Sequence, residues 1–113
     1  MSFVWGSLTT GFNQTTAITA LALSTDATRH QIQVEYIEAN TSGIVTPSTP
    51  TYVLVAYKVP NSTIFINFST NVDLSSAVQV RTFDGKFSSL QFSPGTTFDS
   101  TCAYRVRYSG WRV

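Results

Sequence analysis

Residues 31–36 read Gln-Ile-Gln-Val-Glu-Tyr, so that Ile32, Val34 and Tyr36 alternate strictly with Gln31, Gln33 and Glu35. A period of two places the apolar set on one face of an extended chain and the polar set on the other, the pattern of a strand packed on one side and wetted on its reverse. The pattern recurs. Residues 52–59 (YVLVAYKV) carry apolar side chains on both faces, as a more deeply buried strand does, and Pro60-Asn61 ends the run. Ile64, Ile66 and Phe68 alternate with Phe65, Asn67 and Ser69 and are expected to pair with that strand through a short turn. Tyr104, Val106 and Tyr108 alternate with Ala103, Arg105 and Arg107. Residues 14–23 fit a helical and an extended spacing alike, and their threonines tilt them to strand.

Turn-forming residues separate these runs. Asp84-Gly85 divides Val78 and Val80 from Leu90 and Phe92, and reads as a hairpin in which a bulged turn, with Gly85 in the left-handed conformation, sets Val78 opposite Leu90. Ser93-Pro94-Gly95 marks another turn, and residues 40–50, with two prolines and Gly43, form the longest irregular connection. A chain of 113 residues has room for one core. The reading is therefore a single all-β domain over residues 1–113, an antiparallel β-sandwich or jelly roll of seven to eight strands.

Composition narrows what such a sandwich can do. Only 12% of residues are charged and the formal net charge is +1, which supplies no long-range field for nucleic acid or an anionic membrane. Ser and Thr, 14 and 17 in number, must stand in for Lys and Glu on the wetted faces. Cys102 is the only cysteine, so an intrachain disulfide is impossible; its residue type favours a small buried hydrophobe over a reactive thiol. No run approaches the roughly 18 consecutive apolar residues of a membrane span, and no basic-then-apolar leader opens the chain. Localisation is left open, with extracellular or virion-associated action both compatible. Large apolar residues stand near both ends: Phe3, Val4 and Trp5, then Tyr108, Trp111 and Val113. They are expected to be pinned in a sheet or beneath another subunit, and with so little charge to oppose association the chain is expected to be a homo-oligomer.

Catalytic chemistry has little to work with. His30 is the only histidine and reads as a solvated turn residue; no nucleophile motif accompanies it. Glu35 and Glu38, three apart on a strand, fall on opposite faces and cannot flank one glycosidic bond. The aspartates match no calcium-loop spacing, and one His with one Cys cannot make a zinc site within a single chain. The expectation is a protein that is not an enzyme, with no cofactor and no metal.

Two constellations rise above this background. In the run 104–112, Arg105 and Arg107 share a strand face among aromatic residues. Such a face could hold phosphates and stack bases, but the low net charge favours arginines bonded to a carboxylate such as Glu35. The second is a set of polar turns. Asn71, Asp73, Asp84 and Lys86 supply hydrogen-bonding groups and Trp111 an aromatic face, the combination a sugar ring requires. The leading expectation is a self-associating, lectin-like protein that binds glycans through multivalent display. The alternative is a structural subunit of a viral capsid or surface appendage, and only that alternative brings in nucleic acid. Four N-glycosylation sequons, at Asn13, Asn40, Asn61 and Asn67, decide nothing between them.

Overall fold

The computed structural model describes the backbone of residues 3–14, 18–22, 27–68 and 71–112, and the side chains of residues 27–68 and 71–112. Along the chain run β1 (Phe3–Gln14), β2 (Ile18–Ala22), β3 (Arg29–Glu38), β4 (Gly43–Ile44) and β5 (Tyr52–Lys58). There follow β6 (Ile66–Asn67), β7 (Val72–Asp73), β8 (Val78–Asp84), β9 (Ser89–Pro94) and β10 (Cys102–Arg112). Among the described residues there is no helix, hence none long and apolar enough to cross a membrane.

Two antiparallel sheets result. The first runs β1-β10-β3, with β8 and β4 one after the other along the far side of β3. The second runs β2-β9-β5, with β7 and β6 along the far side of β5. If β6 and β7 are one interrupted strand and β4 a spur, eight strands make two four-stranded sheets, and the chain passes from one sheet to the other at nearly every connection. That wiring is a jelly roll.

The period of two explains the packing. Ile32, Val34 and Tyr36 of β3 lie directly across from Tyr108, Val106 and Tyr104 of β10, and all six are buried. They face Val53 and Val55 of β5 and Leu90 and Phe92 of β9 in one continuous core, with Val72 and Leu74 beside them. Each such side chain contributes about 1.5–3 kcal/mol when fully removed from water. Phe3, Val4 and Trp111 lie in the first sheet, as expected: Phe3 pairs with Arg112 and Val4 with Trp111, while Val113 lies outside the described residues.

One expectation fails. β8 and β9 are not a hairpin, because β8 belongs to the first sheet and β9 to the second. The segment between them is a crossing: Gly85 N–H donates to the Thr28 carbonyl at 2.9 Å beside the first sheet, and Ser88 N–H to the Lys58 carbonyl at 2.7 Å in the second. Gly85 does take a positive φ, 140°, and a Cβ there would fall 2.8 Å from the Phe87 ring. Alternation records which face of a strand is buried, and it carries no record of which strand lies alongside. The pairing expected between 52–59 and 64–68 does form, at Ala56–Asn67 and Tyr57–Ile66.

Candidate functional site

The sequence-predicted residues divide between the two ends of the sandwich. β5 starts at Tyr52, which pairs with Asp73, and ends at Lys58, whose carbonyl receives the Asp84–Ser88 crossing. Its seven residues span ~20 Å at the usual strand rise, so Asn71 and Asp73 stand about that far from Asp84 and Lys86. Asn71 and Asp73 are exposed. Asp73 Oδ1 accepts from Ser75 N–H at 2.9 Å and Ser75 O–H at 2.7 Å, bonds that hold its carboxyl below the usual range. That is a turn stabilising itself.

At the opposite end Trp111, Arg29 and Asp84 form one cross-strand row on β10, β3 and β8. Arg29 Nε donates to Asp84 Oδ1 at 2.7 Å and Nη2 to Oδ2 at 3.3 Å. The hydrogen bond and charge of Arg29 lower the Asp84 pKa, and Asp84 in turn raises that of the guanidinium. Trp111 is half-buried. Asp84, Gly85 and Lys86 line an open depression of about 590 Å³ together with Tyr57, Asn67 and Phe87; Trp111 is not in its wall. The structure thus brings Asp84 and Lys86 to one surface, keeps Trp111 in the neighbouring row, and puts Asn71 and Asp73 at the far end.

Beneath this end lies a polar centre that sequence reasoning misread. His30 is not a solvated turn residue: it is completely buried. Its parity with Ile32, Val34 and Tyr36 was the available signal, since the same alternation aims residue 30 inward. Nε2–H donates to the Gly85 carbonyl at 2.8 Å, and Nδ1 accepts from the Tyr108 hydroxyl at 2.7 Å. This assignment leaves the ring neutral, consistent with burial lowering its pKa against the opposing pull of the Gly85 carbonyl and the Asp84 charge. Burial also pushes the Tyr108 hydroxyl up to about 12. Gly110 sits directly across from His30, and a Cβ there would fall 2.2 Å from the Tyr108 oxygen; its absence lets the tyrosine reach the imidazole. Phe83 and Phe87 pack on the imidazole at 5.5 and 5.0 Å between ring centroids, and Phe68 and Tyr57 extend the cluster.

A second polar centre occupies the outer face of the same strand pair. Glu35 and Arg105 are directly opposed and buried, with Arg105 Nε 2.5 Å from Glu35 Oε1. Arg107, half-exposed, reaches the same oxygen at 3.3 Å, and Gln33 Nε2 donates to Oε2 at 2.7 Å. Burial alone would raise the Glu35 pKa; the bonds from Arg105 and Gln33 and the two guanidinium charges outweigh it and hold the carboxyl low. The expected carboxylate partner of these arginines is therefore the one observed. Glu38, on the opposite strand parity, accepts instead from the N–H groups of Asn40 and Thr41, both at 3.1 Å.

A third set went unanticipated. The Tyr36 hydroxyl donates to Asp99 Oδ2 at 3.0 Å and accepts from Asp99 N–H at 2.9 Å, while Ser48 donates to the same carboxylate from its N–H and hydroxyl. It ties the 45–50 segment to the 95–101 segment beside an open depression of about 580 Å³ that Cys102 and Asp99 line. Cys102 is half-buried and packs against the core. Among the described residues no cluster of three or more His, Cys, Asp or Glu could hold a metal ion.

No family model and no curated protein matches the chain. Solved structures do match its fold. A chain from "Bacillus endospore appendages form a novel family of disulfide-linked pili" is similar over 100% of this chain and 88% of its own, at 9% identity and a TM-score of 0.50. A chain from the "acidic stable capsid structure of Helicobacter pylori bacteriophage KHP30" is similar over 99% of this chain and 87% of its own, at 12% identity and a TM-score of 0.53. Both likenesses concern the sandwich as a whole.

Proposed function

We propose that this chain is a non-catalytic structural subunit that assembles with copies of itself into a shell or surface appendage. The observation that carries the reading is end-to-end correspondence: the sandwich spans nearly the full length of a phage capsid chain and of an appendage pilus chain. Two features of the chain support it. Charge is scarce, at 12% of residues, and Ile44, Ile64, Ile66 and Val80 are exposed, so close packing of copies meets little electrostatic resistance and buries apolar surface. Glycan binding has no comparable support, because its five candidate residues are split between two ends and the Asp73 and Asp84 carboxylates are already engaged.

Nucleic acid is not the partner that Arg105 and Arg107 point to. Glu35 offsets one of the two guanidinium charges, so the face keeps a net charge of about +1, little for an affinity that grows with each phosphate neutralised. Size-exclusion chromatography with light scattering, recording the 260/280 nm absorbance ratio, tests the reading. The expected result is a high-mass, nucleic-acid-free species whose size grows with concentration. A strictly monomeric protein overturns it, and retention on glycans that Trp111→Ala abolishes would restore the lectin reading.

A further inference from the structure

Each sheet has two edges, and the four differ in how they are guarded; β2, an edge of the second sheet, is uncharged but only five residues long. β4, β6 and β7 are two residues long, β7 carries Asp73, and β8 carries Arg81 and Asp84. Shortness and charge are the devices that keep a solvent-facing edge from pairing with another chain. β1 has neither. At twelve residues it is the longest strand described, it pairs only with β10, and residues 1–25 contain no Asp, Glu, Lys, Arg or Pro. Register shifts interrupt it between Val4 and Ser7 and between Thr10 and Gln14, but Ser7–Thr10 pairs without a break against 106–109. Among the described residues the outward-pointing N–H and C=O groups of that stretch have no strand partner.

The occupant follows from charge. When two identical edges pair antiparallel about a two-fold axis, residues near the axis meet their own kind, so any charge there repels itself. An edge with no charge over its twelve residues escapes that penalty completely and offers nothing to a charged partner of another kind. We propose that the free edge of β1, centred on Ser7–Thr10, pairs with the same edge of a second copy, extending the first sheet across a two-fold axis. This rests on the self-assembling reading above and names the surface through which assembly begins.

The test compares full-length wild type, Ser7→Lys/Thr9→Lys, and the control Val80→Lys/Thr82→Lys on β8, by light scattering over a concentration series, with circular dichroism to confirm folding. Ser7 and Thr9 pair with Ser109 and Arg107, neither of which is buried. The β1 variant is expected to dissociate to a smaller species, with association weakened about tenfold or more by opposed lysines, while the β8 variant keeps the wild-type mass. Unchanged mass in the β1 variant, with wild type assembled, overturns the edge pairing and leaves the structural-subunit reading standing. A monomeric wild type overturns both. Should the lysine variant not fold, single cysteines at positions 7, 8, 9 and 10 in a Cys102→Ser background give a second readout: at least one is expected to form a disulfide-linked dimer on mild oxidation, and failure of all four overturns the proposal.

Discussion

The β3–β10 pair carries a buried polar centre on each face, and the two are held by opposite means. On the inner face His30 is neutral, and hydrogen bonds to Tyr108 and the Gly85 carbonyl suffice for it. On the outer face Glu35 and Arg105 are buried as ions, and each compensates the other's loss of water. A neutral centre is damaged when a proton is added; an ionic one is damaged when a partner is taken away. The same two strands therefore have two different weak points.

Removing a partner gives the largest expected effect. Glu35→Gln leaves the Arg105 guanidinium buried without its carboxylate and should cost about 3–5 kcal/mol, measured by urea unfolding. The double variant Glu35→Leu/Arg105→Met should recover most of that loss; a double variant as unstable as the single would show that the outer centre is not a self-contained pair. His30→Ala should cost about 2–4 kcal/mol, because it opens a cavity and leaves the Tyr108 hydroxyl and Gly85 carbonyl without their shared partner. Gly110→Ala should push the Tyr108 ring off His30, and loss of the Tyr108–His30 bond would be read from the titration of the tyrosine.

Protonation separates the centres along the pH axis. The folded pKa of His30 lies below its ordinary value of 6.5, so its contribution is complete above that pH and is lost as pH falls below it. The folded pKa of Glu35 lies below 4.5, so its contribution persists to that pH and is lost only as pH falls further, alongside Glu38, Asp73, Asp84 and Asp99, whose pKa values are lowered too. Thermal unfolding of wild type should therefore weaken first as pH falls below 6.5, and His30→Gln should flatten that first decline. An unaltered decline in the variant would assign it elsewhere. The smallest effect belongs to Arg107→Ala: its side chain is 47% exposed, and the change should fall within about 1 kcal/mol.

What the sequence disclosed follows the same division. Facing was legible: the parity of Ile32, Val34 and Tyr36, and of Tyr104, Val106 and Tyr108, marks the core, and Glu35 is the carboxylate expected opposite the arginines. Adjacency was not. Val78 and Leu90 stand on different sheets because a crossing connection and a hairpin share the same turn residues. His30 reads as a turn residue when the alternating run is begun at Gln31, whereas the strand begins at Arg29. The polar turns around Asp73 and Asp84 look alike in sequence, and only the direction of β5 reveals that they lie at opposite ends.

The position of β10 has a consequence for how the molecule comes into being. Residues 102–112 form an interior strand, seated between β1 from the start of the chain and β3. On a ribosome, then, the first sheet stays incomplete until residues 102–112 have been made, with β1 and β3 exposing unpaired edges in the meantime. Contacts that join opposite ends of a chain close slowly, on a scale of milliseconds to seconds. Completion of the first sheet accordingly waits for residues 102–112, and a chain that lacks them cannot enter an assembly as a finished building block.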